Sequence, residues 1–319
     1  TQAANRTANP DSTNTPVQAV DARPSNTPLI TPTPTYDPNS PVIVYGTEKT
    51  CEVKAIRLNG YQALSLAPTL PANCTAARIS PDGQKVLYSI QEGNLEDFTR
   101  SVEVASLFSN SSLKVLDHIR YLYLPDWSPD SQWLSYLSIV GADQGGPILG
   151  LNLIRVDGSG QFQLTDQNDG TIEPISDVVA WSPDGNWLAF IAGGKLQVLR
   201  SNGTGLKTLA EDLRLFTLAW SPDSTRIAYF AEDETGIVIV DLQGHQQLVE
   251  NPALDTQNFD ENLVWAPDGS SLVAYNGNED AMVRIRLDGA EITPLFSENA
   301  FVHRITFLPD GRWLAFIET

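Results

Sequence analysis

One short pattern recurs six times along the chain and constrains its fold more than any other feature. It reads Ile79-Ser80-Pro81-Asp82-Gly83, Trp127-Ser128-Pro129-Asp130-Ser131, Trp181-Ser182-Pro183-Asp184-Gly185, Trp220-Ser221-Pro222-Asp223-Ser224, Trp265-Ala266-Pro267-Asp268-Gly269 and Phe307-Leu308-Pro309-Asp310-Gly311. Successive prolines stand 48, 54, 39, 45 and 42 residues apart. A serine, then a proline with preset φ, then aspartate and glycine suits a type I turn. Alternating apolar runs follow, such as Val86-Leu87-Tyr88, Leu188-Ala189-Phe190 and Ile227-Ala228-Tyr229. Period-two alternation around a tight turn predicts strand, turn, strand. All seven tryptophans lie close to one of these prolines, which assigns them to packing between repeats.

A second hairpin signal follows inside each repeat. It appears at Asn110, Asp157-Gly158, Asn202-Gly203, Gln243-Gly244 and Asp288-Gly289, with a further copy, Asn59-Gly60, ahead of the first proline motif. Asn-Gly and Asp-Gly between apolar runs are strong hairpin cues. Two hairpins per repeat make four strands, the size of a propeller blade. The expected fold is therefore all-β: a six-bladed β-propeller of four-stranded blades. The sixth blade is expected to pair C-terminal strands near 305–307 and 314–317 with N-terminal strands near 53–58 and 63–66, closing the ring by its chain ends.

Over roughly residues 48–319 these repeats resemble the Trp-Ser-Pro-Asp-Gly repeats of TolB-type six-bladed propellers. The resemblance implies the fold far more strongly than a function. Repeats of this kind recur in periplasmic scaffolds, in surface proteins and in the propeller halves of peptidases.

The first 41 residues have another character. They hold eight prolines and eight threonines, and the one aromatic residue among them is Tyr36. Such a segment lacks the apolar surface to offset its ordering entropy, which predicts an extended tail or linker over 1–47 and a propeller over 48–319. Short apolar stations interrupt it at Val17 and Val20, at Leu29 and Ile30, and at Val42, Ile43 and Val44. The segment reads either as a plain spacer or as a peptide that adds a strand to a neighbour, possible partners including copies of the same chain.

Charge narrows the function. The net charge is −19, from 39 acidic and 20 basic residues, which speaks against nucleic-acid partners. No apolar run is long enough for a membrane span. Two cysteines and three scattered histidines, His118, His245 and His303, do not make a four-ligand zinc site. The single methionine, Met282, reads as a processed chain whose leader is gone. In an exported chain Cys51 and Cys74 are expected to form a disulfide, with two free thiols as the alternative.

The proline turns (Pro81, Asp82, Pro129, Asp130, Pro183, Asp184, Pro222, Asp223, Pro267, Asp268, Pro309 and Asp310) and the second-hairpin turns share one face and read as structural. The loops of the opposite face are longer and more varied, and function concentrates on such loops. They are acidic, with Glu92, Asp97, Asp166, Asp169, Glu232, Asp233, Asp260, Glu261 and Asp280 among their residues. That face reads as a solvated rim or as a docking surface for a basic partner. The run Asp166–Gly170 only faintly resembles a calcium loop, since the downstream bidentate glutamate is missing. No Gly-x-Ser-x-Gly elbow occurs, and no cofactor, metal or catalytic residue is nominated. The sequence is thus expected to be an exported or cell-surface module, not an enzyme. It would bind other proteins, with assembly into filaments through its tail as the sharper form of that expectation. The alternative is a tethered propeller that binds a small ligand, peptide or glycan, or carries an enzyme site at the channel mouth.

Overall fold

The computed structural model describes residues 18–21, 42–46, 53–57, 63–65, 74–92, 99–107, 109, 111–119, 123–143, 146–165, 175–211, 217–230, 236–250, 263–276, 281–288, 292–297, 302–307 and 313–318. Every regular element among them is a β-strand, and none is a helix long and apolar enough to cross a membrane.

Five consecutive antiparallel sheets of four strands fill the centre of the chain. The first holds β5 (Cys74–Ile79), β6 (Lys85–Glu92), β7 (Thr99–Ser106) and β8 (Ser112–Ile119). The second holds β9 (Tyr123–Trp127), β10 (Trp133–Asp143), β11 (Gly146–Arg155) and β12 (Phe162–Gln163). The third holds β13 (Ile175–Trp181), β14 (Trp187–Ala192), β15 (Lys195–Arg200) and β16 (Lys207–Ala210). The fourth holds β17 (Leu218–Trp220), β18 (Arg226–Phe230), β19 (Gly236–Asp241) and β20 (Gln246–Glu250). The fifth holds β21 (Leu263–Trp265), β22 (Ser271–Asn276), β23 (Ala281–Arg286) and β24 (Ile292–Ser297). In each, a strand pairs with its neighbour in sequence, as the doubled hairpin signal predicts.

The chain ends make two further sheets. β2 (Val42–Gly46), β3 (Val53–Arg57) and β4 (Ala63–Ser65) form one, and the other runs β1 (Gln18–Asp21), β26 (Trp313–Glu318), β25 (Val302–Phe307). Here the structure departs from the expected single composite blade. The apolar station Val42, Ile43, Val44 is itself a strand, matched to Arg57, Ile56 and Ala55. With β2 as its partner, β3 leaves the C-terminal hairpin free to pair elsewhere. That hairpin takes β1 from the Pro/Thr-rich segment, with Val20 opposite Leu314. The described residues therefore hold seven sheets where six blades were expected.

Packing between sheets follows from period-two alternation. Every residue of β14 is buried, and its two faces feed two different cores. Trp187, Ala189 and Ile191 meet Trp220, Ile227 and Tyr229 of the fourth sheet. Leu188, Phe190 and Ala192 meet Leu137, Leu151 and Leu153 of the second. Strand β18 repeats the arrangement, with Ile227 and Tyr229 on one side and Ala228 and Phe230 on the other. A stretch buried on both faces must be apolar, as β14 and residues 227–230 of β18 are. First strands also meet in succession, β2 with β5, β9 with β13, β13 with β17, β17 with β21 and β21 with β25.

Candidate functional site

Of the six proline turns, five lie among the described residues, and Pro309 and Asp310 fall outside them. The turn bond runs from the fourth residue back to the first: Gly83 N–H to Ser80 O at 2.8 Å, Gly185 N–H to Ser182 O at 2.9 Å and Gly269 N–H to Ala266 O at 2.8 Å. The serine hydroxyl then works twice. Ser80, Ser128, Ser182 and Ser221 donate to the aspartate two residues on, at 2.6, 2.5, 2.6 and 2.6 Å. Each also accepts the N–H of the residue that starts or precedes the following strand, at 2.9 Å in all four. At Asp82, Asp184 and Asp223 these bonds lower the pKa of the carboxyl. At Asp223 the Ser221 hydroxyl outweighs burial and holds the pKa below the usual value. At Asp82 and Asp184 burial pushes upward, but the serine hydroxyls and backbone N–H groups win and the pKa falls. At Asp268, where Ala266 replaces the serine, the N–H and hydroxyl of Ser270 lower it instead.

The fourth turn position is left-handed throughout, which favours glycine. Two copies nevertheless carry serine there, Ser131 and Ser224, both at φ 59°. Each is buried and reaches the preceding proline turn. The Ser131 hydroxyl accepts the Asp82 N–H at 3.1 Å, and the Ser224 hydroxyl accepts the Asp184 N–H at 3.0 Å. The bond joins one sheet to the next and offsets the backbone strain. The sequence signal for this clasp is serine in a position that otherwise holds glycine.

Tryptophan indoles link the same sheets nearer their first strands. Trp127, Trp220 and Trp265 donate to the carbonyls of Arg78, Ala180 and Ala219 at 3.1, 3.2 and 3.0 Å. Trp181 instead donates to the Ser135 hydroxyl at 3.0 Å. Beside the Trp127 bond, Arg78 of β5 pairs with Asp126 of β9 at 3.3 Å. Hydrogen bonds from the described proline turns and from the indoles thus tie successive sheets together.

The acidic residues expected on the opposite face are described at one position only. Glu92 ends β6, whereas Asp97, Asp166, Asp169, Glu232, Asp233, Asp260, Glu261 and Asp280 lie outside the described residues. Glu92 meets Asp117, which the sequence did not single out, and His118, which it set aside as one of three scattered histidines. His118, left-handed at φ 52°, sets Nε2 at 3.2 Å from Glu92 and Nδ1 at 2.8 Å from Asp117. Lys114 lies 3.0 Å from Asp117 and 3.9 Å from Glu92. The ligand atoms of Glu92, Asp117 and His118 lie within 4.8 Å of one another, a span that suits a divalent cation. The Lys114 ammonium already supplies positive charge to the same two carboxylates. The three histidines stand on different sheets, His118 in β8, His245 beside Asp241 at 2.9 Å, and His303 in β25.

Of the tail residues, Val20 lies in β1 and Val42, Ile43 and Val44 in β2, whereas Val17, Leu29 and Ile30 lie outside the described residues. Cys74 opens β5, is buried and is not a free thiol. Its expected partner Cys51 lies outside the described residues.

No family model and no curated protein matches the chain. Solved structures do. An oligogalacturonate lyase in complex with manganese superposes with a TM-score of 0.60 at 12% identity, over 86% of this chain and 74% of the lyase. A puromycin-hydrolysing peptidase of Mycobacterium tuberculosis gives 0.59 at 14% identity, over 88% of this chain and 49% of the peptidase. A TolB protein from Agrobacterium tumefaciens gives 0.50 at 18% identity, over 81% of this chain and 91% of that one. The chain thus has a TolB-like β-propeller fold, and it spans about half the length of the peptidase. These neighbours also correct one expectation. Exclusion of enzymes rested on the missing hydrolase elbow, the scattered histidines and the lack of a concentrated catalytic constellation, yet a peptidase and a lyase carry this fold. A propeller is a platform on which binding and chemistry are both built, so the fold cannot mark the chain as a non-enzyme.

Proposed function

We propose that the chain is an exported protein-interaction propeller whose N-terminal segment is its assembly element. One observation carries the reading: a strand from the Pro/Thr-rich segment, β1, is seated on the sheet of the C-terminal hairpin. An edge that accepts a strand from so far away in sequence is an edge suited to extended peptides. In this reading the seven sheets are blades of one ring, with β1 as the strand that closes it. Cys51 and Cys74 form a disulfide beside β5, and the acidic loops offer a docking face for a basic partner. Copies joined through their tails in a head-to-tail manner form filaments, since a heterologous contact propagates unless its rotation closes.

Light scattering and negative-stain imaging of the full chain, beside a chain lacking residues 1–41, test the proposal. Deletion at 41 rather than 47 spares β2. The full chain is expected to grow with concentration into elongated multimers, and the shortened chain to stay monomeric. A full chain that remains monomeric at submillimolar concentration overturns the assembly reading.

A further inference from the structure

We infer that the outer edge of β26 is a strand-acceptor site, and that in the assembled protein its occupant is β1 of a second copy. The inference rests on the assembly reading above and names the surface through which assembly works.

Sheet order singles out this edge. In the five four-stranded sheets the third place is filled by the next strand of the same repeat, β7, β11, β15, β19 or β23. In the sheet of β25 and β26 the third place goes to β1, from the opposite end of the chain. No hairpin turn delivers this strand. The pairing is antiparallel and in register, Gln18 to Phe316, Ala19 to Ala315, Val20 to Leu314 and Asp21 to Trp313. Strand β1 covers residues 313–316 of β26, while Ile317 and Glu318 extend beyond the register.

Ladder bonds join backbone to backbone, so the edge accepts whichever strand of matching register is brought to it. What brings β1 is the segment 22–41, twenty residues that include six prolines. A proline-rich tether of that length reaches about 60 Å when extended. Such a reach lets one β1 serve its own β26 or that of an adjacent copy. A tether also sets an effective concentration, typically around millimolar for flexible linkers. Pairing within one chain therefore prevails in dilute solution, and exchange sets in as chains are concentrated or held side by side. The second copy is the occupant favoured over a foreign peptide because this chain carries the strand already seated there in register.

Paired cysteines test the exchange. Strands in an antiparallel ladder place partner Cα atoms within disulfide range. A V20C chain and an L314C chain are mixed at a concentration where the unaltered protein scatters as multimers, then oxidised and run on a non-reducing gel. The expected result is a linked heterodimer, absent from a control mixture of V20C with T208C, whose cysteine lies on β16. The V20C/L314C double variant in dilute solution is expected to close within one chain and run as a compact monomer. An A19C and A315C pair, which exchanges one small residue for another, repeats the experiment if the first pair folds poorly. Multimers of the unaltered protein without a matched link overturn the inference and leave the assembly reading standing. A protein that stays monomeric throughout overturns both.

Discussion

In the five four-stranded sheets each strand is followed at once by its partner, whereas β26 pairs with β25 on one side and with β1 on the other. The first region is fastened three ways. Backbone ladders run within sheets, indole bonds such as Trp265 to Ala219 O cross between them, and Ser131 and Ser224 clasp successive proline turns. The second region shows four register pairs between β1 and β26. Closing a contact across most of the chain costs more loop entropy than closing a hairpin, though the cost rises only logarithmically. The difference teaches that the repeats hold themselves and their neighbours, while the chain-end sheet depends on a short strand from the far end of the chain.

The largest effect should come from the repeat region. Trp265→Ala empties a site that is 5% exposed and removes an intersheet bond, so it should cost about 3–5 kcal/mol in denaturant unfolding. A cost below that of losing β1 would invert the comparison. Ser131→Ala leaves the Asp82 N–H without its acceptor and keeps the left-handed backbone, for a loss of about 1–3 kcal/mol. Ser131→Gly loses the same bond but relieves the strain, so it should be the milder of the two. The ordering, read from urea midpoints, isolates the clasp from the turn.

Removal of residues 1–21 should lower stability by about 1–2 kcal/mol, the net value of a few ladder bonds. The shortened chain should also stay monomeric at concentrations where the full chain forms multimers, since it has no β1 to offer a second copy. Acid should act mainly on the repeats. Asp82, Asp184, Asp223 and Asp268 all titrate lower in the folded chain than the ordinary carboxyl value. Their contribution is whole above about pH 4 and is lost as pH falls through the depressed folded values. Unfolding free energy measured from pH 5 to pH 2 should therefore fall, and Asp223→Asn should flatten that slope. The smallest effect belongs to the exposed rim. Arg200 lies 4.6 Å from the Trp187 ring, and Arg200→Met should cost only about 0.5–1 kcal/mol, less in high salt.

The repeat hairpins were legible because their signals are local. Pro222-Asp223 sets a turn whose bond closes within four residues, and Ile227-Ala228-Tyr229 alternates into two cores at once. The site residues were less legible. Glu92 was visible as an acid of the variable loops, but Asp117 and His118 join it because β8 runs back along β7 and turns left-handed at His118. Nothing in the local sequence announces that meeting. The expected exclusion of catalysis failed for a related reason: motifs specify blades, and blades carry no signature of what their loops do.

By itself the amino-acid order determined the unit of this protein, a proline-turn hairpin followed by a second hairpin, because φ preferences and period-two burial act over a few residues. Which strand completes the chain-end sheet was decided only in three dimensions. Val42–Val44 and Gln18–Asp21 both lie in short strands outside the repeats, yet the first pairs with β3 and the second with β26. Ladder bonds join backbone to backbone, so which edge each short strand takes depends on what the folded chain brings beside it, and no local turn signal encodes that.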